Sequence, residues 1–193
     1  MLRNEAREAL ERRLPTFLQG CRWFGGKALT ARAARIVEQL PLNGTGEADA
    51  ILTLLRVDYS DGGNETYVLP LAFAHGAEAR KLQQTAPQSI VAALRVQTKQ
   101  RDLDGVLFDG IEDPRVAQSL LDSIIRRRVL RGSAGELIAS PGKVLRELTD
   151  PTLLPVTMLR GQQSNTSVAF GHRLILKLYR RLQSGTNPEW VAP

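Results

Sequence analysis

Two stretches near the C-terminal end carry residue types suited to phosphate chemistry. Gln163-Ser164-Asn165-Thr166-Ser167 is a run of small polar residues between the apolar Met158-Leu159 and Val168-Ala169-Phe170. The backbone N–H groups and hydroxyls of such a loop can approach phosphate oxygens closely and donate to them. Lys177 stands inside the apolar run Leu174-Ile175-Leu176-Lys177-Leu178-Tyr179. An ammonium in the middle of a strand can neutralise nucleotide phosphates in a dry cleft. On spacing alone two readings stay open: a nucleotide-phosphate site, and a plain β-hairpin whose Lys177 points to solvent.

Other residues offer less. Gly25-Gly26-Lys27 invites comparison with a phosphate loop, but a Walker motif needs Gly six residues before the lysine and Ser or Thr after it. Those positions hold Cys21 and Ala28. One cysteine and two histidines exclude zinc-finger spacing. His75 reads as a loop residue and His172 as a turn residue beside Gly171. Asp102, Asp104 and Asp109 lie close in sequence and read as solvated carboxylates at a strand edge. Cys21 reads as a small buried or loop residue, with no neighbour to lower its pKa. Trp23 and Phe24, beside two glycines, suggest an anchored loop with aromatic core residues.

The elements that must position these residues follow from periodicity. Leu2, Ala6, Leu10 and Leu14 recur every four residues and predict an amphipathic helix over Leu2–Leu14, ending or kinking at Pro15. Phe17 and Leu18 fall in a second short turn. From Arg32 to Tyr59 the signal is strand, broken by a loop at Asn43–Gly46. Ile51 to Tyr59 alternates, Asp61-Gly62-Gly63-Asn64 is a hairpin turn, and Thr66 to Phe73 alternates again. Pro70 lacks an N–H and fits an edge or a bulge. Ser89–Val96 and Gly105–Phe108 read as short strands. Asp113–Arg127 reads as a helix, capped by Asp113 with Pro114 at its first position. Arg126–Arg128 at its end favour the helix dipole. Glu136–Ala139 is a short strand in a turn-rich connection. A strand, polar loop, strand, tight turn and strand then follow a boundary near Asp150–Pro155.

Composition bounds the rest. The chain has 193 residues, 42% hydrophobic and 24% charged, with a net charge of +6. This is ordinary globular composition, long enough for a core without disulfides. The basic residues are spread, and aromatics at 5% are thin for stacking nucleic-acid bases. The longest apolar run, Val68–Ala74, is too short to span a bilayer. No signal-peptide pattern opens the chain, so a cytoplasmic location is expected.

From about Cys21 to Pro188 the sequence resembles the N-terminal part of maltokinases, bacterial sugar kinases related to aminoglycoside phosphotransferases and often fused to trehalose synthase. The resemblance rests on Arg22-Trp23-Phe24-Gly25-Gly26-Lys27, Tyr59-Ser60-Asp61-Gly62 and Glu65 to Ala72. It continues in Leu107-Phe108-Asp109, Gln163 to Val168, and Leu174 to Leu182 with Gly185-Thr186-Asn187-Pro188. It implies an α+β fold: a curved, mostly antiparallel sheet flanked by helices over residues 1–150 (the cap), then the opening β-strands of a kinase-like N-lobe over 151–193. It implies that Ser164, Asn165, Thr166 and Ser167 cover the phosphates of ATP and that Lys177 contacts them. In complete members ATP with Mg²⁺ phosphorylates the anomeric hydroxyl of maltose, giving maltose 1-phosphate.

A kinase also needs an aspartate base and metal-binding residues. No His-Gly-Asp, His-Arg-Asp or Asp-Phe-Gly-like triplet occurs in these residues. The acidic helix partner of the lysine would fall near Val191, and Glu189 is a poor substitute. The expectation is therefore a portion that lacks catalytic residues, binds no cofactor or metal by itself, and works with the remaining kinase lobe. The alternative is a stand-alone interaction module that docks on trehalose synthase or a kinase partner. A basic nucleic-acid binder is the weakest reading.

Overall fold

A computed structural model describes residues 4–42, 50–97, 101–147, 154–160 and 164–185, without the side chain of residue 144. The expected loop at Asn43–Gly46, most of the expected boundary at Asp150–Pro155, Gln163 and the segment from Thr186 onward lie outside the described residues.

Helix α1 (Asn4–Gly20) is followed by a 3-10 turn at Gly25–Ala28 and by β1 (Ala31–Leu42), β2 (Ala50–Tyr59) and β3 (Asn64–His75). Then come α2 (Gly76–Thr85), β4 (Ile90–Gln97), β5 (Asp102–Asp109), α3 (Pro114–Ile125), β6 (Val129–Arg131), β7 (Glu136–Ile138) and α4 (Lys143–Arg146). The C-terminal part holds β8 (Val156–Leu159), β9 (Asn165–Phe170), β10 (Leu174–Tyr179) and β11 (Arg181–Leu182). The main sheet is antiparallel and curled, in the order β1-β2-β3-β5-β4, with β11 also on β3. A second antiparallel sheet runs β10-β9-β8, and β6 pairs with β7. The expected α+β class holds.

Both faces of the main sheet are buried. Ile36, Leu55, Val57, Tyr67, Leu69 and Leu71 meet Leu10, Leu14 and Leu18 of α1 on one face. Leu40, Leu52, Val68, Ala72, Val106 and Phe108 meet Ala79 of α2, Val116 of α3 and Leu130 of β6 on the other. In β1, Ile36 and Leu40 share sequence parity yet serve opposite faces. The cause is a β-bulge between Ile36 and Glu38, which inserts one residue and flips everything after it. The Val37 beside that irregularity is exposed. The backbone of Ile36 on this edge is satisfied by α1: its N–H donates to Glu11 at 2.8 Å, and its carbonyl accepts from Arg7.

Several sequence expectations are corrected. Of the two expectations for Pro15, an end or a kink, the end is ruled out: α1 runs through it to Gly20, because burial of Leu14 and Leu18 on one stripe outweighs one missing N–H. Residues 76–85 form a helix for which no expectation was drawn, and His75 is the residue preceding it rather than a loop residue. The polar run also narrows: β9 begins at Asn165, so Asn165–Ser167 lie in a strand. The hairpin turn is as expected, with Gly62 at φ +87° and the Gly63 N–H donating to the Asp61 carboxylate at 2.9 Å. Pro70 pairs with Leu52 on the β2 side. On the other edge it falls between the stretch of β3 that takes β11 and the stretch that takes β5. Asp113 caps α3 through the Arg115 N–H at 2.8 Å.

Candidate functional site

The second sheet sets the site. In an antiparallel pair, directly opposed residues share a face. Lys177 of β10 lies opposite Ser167 of β9, which lies opposite Leu159 of β8. By alternation this outer face also carries Thr157, Ala169, Ile175 and Tyr179. Ile175 is 67% exposed and Leu159 is 39% exposed. The Lys177 ammonium sits 5.1 Å from the centre of the Tyr179 ring. Ser164 is an exposed residue at the entry to β9. The structure thus brings Ser167, which is only 1% exposed, and the half-buried Lys177 side by side on one face, beside Ala169, Ile175, Leu159 and Tyr179. Among the described residues no group of three His, Cys, Asp or Glu could hold a metal ion.

Thr166 departs from the expected set. It opposes Leu178 and so belongs to the inner face, where Val168 and Phe170 pack with Ile111 and with Ala117 and Leu121 of α3. Its hydroxyl accepts from the Arg180 Nε at 2.9 Å, so it is turned toward the cap.

That arginine is the residue the sequence reading missed. Asp109, expected as a solvated carboxylate at a strand edge, is buried, and so is Arg180. The Arg180 side chain, only 1% exposed, donates Nη2 to Asp109 Oδ2 at 2.7 Å and Nη1 to Asp109 Oδ1 at 3.3 Å. Nη1 also reaches the Val68 carbonyl at 3.5 Å, and the guanidinium lies 4.4 Å from the centre of the Trp23 indole. Its backbone carbonyl accepts from the Val68 N–H at 2.7 Å. A planar fork of five donors is what such a convergence requires. Nothing in the periodicity separates Arg180 from Arg181. The available signal was an acid, Asp109, closing the apolar run Gly105–Phe108 and followed by the buried Ile111.

Aromatic residues frame this joint. Phe24 is a core residue as expected, 5.0 Å from Tyr67 between ring centres. Trp23 is only half-buried and walls a cleft of about 300 Å³ with Asp109, Glu112, Arg160, Thr166 and Arg180. Glu112 pairs with Arg160 at 3.4 Å; burial first, then the nearby Asp109, push its carboxyl up despite Arg160. Cys21 is buried, and desolvation with the Asp109 charge pushes its thiol up to about 12, which disfavours the thiolate. Glu65 accepts from Tyr59 at 2.7 Å and Tyr67 at 2.5 Å, and pairs with Arg181 at 2.8 Å. Burial raises the Glu65 carboxyl, but hydrogen bonds from Tyr67, Tyr59 and Arg181 win and hold it below the usual range.

The arginine cluster after α3 has a local purpose. Arg126 and Arg128 both pair with the buried Asp122, at 2.6 and 3.1 Å. Asp104 is a surface partner of Arg95. No described helix is long and apolar enough to cross a membrane.

The family model of the maltokinase N-terminal cap domain covers residues 17–113. The match runs from the second half of α1 to the N-cap of α3. It contains Trp23, Glu65, Tyr67 and Asp109, and it stops before the sheet that carries Ser167 and Lys177. Half of the chain is matched in one continuous stretch, and its curled sheet with α1 on one face is the body of that match: the chain belongs to the maltokinase N-terminal cap domain family.

Proposed function

We propose that this chain supplies the cap and the first N-lobe strands of an ATP-dependent maltokinase. The observation that carries the reading is the pairing of Ser167 with Lys177 on the face of the second sheet that points away from the cap. Among the described residues Phe170 and Val168 cover much of the inner face by packing on Ile111 and α3, which leaves the outer face as the broader surface for a nucleotide. On this reading Lys177 neutralises the phosphates of ATP, and Ser164, Asn165 and Ser167 lie along the loop side of the same group. Thr166 acts from the opposite face. Mg²⁺ is held, and the acceptor hydroxyl deprotonated, by residues of the polypeptide outside the described part. The γ-phosphoryl group passes to the anomeric hydroxyl of maltose, giving maltose 1-phosphate and ADP. Because base and metal ligands are needed for this chemistry, residues 1–193 alone bind nucleotide weakly and turn nothing over.

A coupled phosphotransfer assay with maltose and ATP tests this on two proteins: residues 1–193, and the full-length gene product that contains them. The expected result is maltose 1-phosphate from the second and none from the first. Turnover by residues 1–193, or none by the full-length product, would overturn it.

A further inference from the structure

Lys177 and Arg180 are three residues apart on one strand and its exit. After Tyr179 the chain leaves the second sheet, and Arg180 and Arg181 hydrogen-bond to the edge of β3 in the main sheet. The side chain of Arg180 meanwhile turns back to Thr166, the neighbour of Ser167. One guanidinium therefore ties both strands of the phosphate-facing pair to a fixed point on the cap, the Asp109 carboxylate. A buried ion pair contributes little net stability over an apolar filling of the same shape. The inner face already has an apolar seal in Val168, Phe170 and Leu121. What the guanidinium adds is direction: its fork fixes the relation of β9 and β10 to β5.

We propose that Arg180, anchored by Asp109, is a positioning residue for Ser167 and Lys177, so that the cap sets nucleotide affinity without touching the nucleotide. This rests on the ATP-binding reading of the outer face. Thr166 contributes through Arg180 and not through the phosphates. Asp109, at the end of β5 and inside the stretch matched to the cap family, acts from the far side of the sheet.

The test uses Asp109→Asn, Thr166→Val and their combination in the full-length gene product. Thr166→Val is nearly isosteric and leaves the Arg180–Asp109 pair in place, so it remains informative if Asp109→Asn folds poorly. Each single change is expected to raise the KM for ATP about tenfold, with the KM for maltose within about twofold of the parent. The double variant is expected to be no worse than the weaker-binding single, since both act through one guanidinium. In residues 1–193, Thr166→Val is expected to speed amide exchange in 165–170 and 174–179 while 52–57 stays as in the parent. An ATP-using parent whose KM is unmoved by either change refutes the positioning role and leaves the kinase reading standing. Effects that multiply in the double variant refute it too, because Thr166 would then touch the nucleotide itself. A full-length parent that does not use ATP sinks the kinase reading, and the exchange experiment then decides whether Arg180 orders the two strands. Exchange that is unchanged, or raised equally in all strands, overturns the proposal.

Discussion

Glu38 shows how much a single carboxylate can organise. It is buried next to the bulge of β1 and accepts from the backbone N–H groups of Ser133 at 2.8 Å, Ala134 at 2.6 Å and Gln39 at 2.8 Å. These donors, Ser133 first, pull its carboxyl down to about 2. Its folded-state value lies below the unfolded one, so the stability it contributes is complete above the ordinary carboxylate range. That contribution is lost as pH falls through about 2. Glu38→Gln is expected to lower stability at neutral pH by about 1–3 kcal/mol and to flatten the acid limb of a Tm-against-pH curve. An unchanged acid limb would show that the turn at Gly132–Gly135 does not depend on the charge. Gly26 makes a second point. The Gly-Gly pair was read as freedom for a tight backbone, but its φ is ordinary. A Cβ at Gly26 would meet the Tyr59 hydroxyl at 2.2 Å and the Phe24 ring at 2.8 Å. Gly26→Ala is expected to cost about 1–3 kcal/mol by displacing these aromatics, read as a lower midpoint in urea. Residue types thus announced an aromatic anchor at Trp23 and Phe24. They did not announce Asp109 and Arg180, whose importance arises only when distant strands meet.

Among the elements, the alternating strands were the most legible. β2 and β3 pair through nine opposed positions, from Ala50 with Ala72 to Asp58 with Asn64, around the turn the glycines predict. Their second face is apolar at Leu52 and Leu54 and polar at Arg56 and Asp58, which marks where α2 and α3 stop covering the sheet. Helix α2 was not legible, because only Ala79 of its ten residues is fully buried and its periodicity is correspondingly faint. The face switch in β1 was not legible either, since a bulge changes parity without changing composition. At Pro15 local rule and tertiary burial disagree, and burial prevails. The conflict leaves a measurable residue: Pro15→Ala is expected to stabilise the protein by about 1–3 kcal/mol, seen as a rise in Tm. A fall in Tm would mean that the proline ring itself is needed where it stands in α1.

The whole molecule is a cap body with a second sheet docked on it. Residues 17–113 make the matched family body, α3 forms the floor for Val168 and Phe170, and β11 closes the join on β3. The net charge of +6 is less telling than it looks in the sequence. Arginines 7, 95, 115, 126, 128, 160, 180 and 181 are each engaged with a carboxylate. The family resemblance of the first half was legible because its motifs are contiguous. The direction of Lys177 was not, because two readings of a hairpin lysine share one sequence pattern, and only the pairing of β9 with β10 separates the faces. Lys177 is half-buried in β10, and methionine keeps its unbranched apolar stem, so Lys177→Met is expected to spare the fold. The decisive measurement is kcat/KM for ATP in the full-length gene product carrying Lys177→Met, alongside its Tm. The account predicts a fall of about a hundredfold or more with an unchanged Tm. A kcat/KM within about threefold of the parent would make Lys177 an ordinary surface residue and contradict the assignment of this face to ATP.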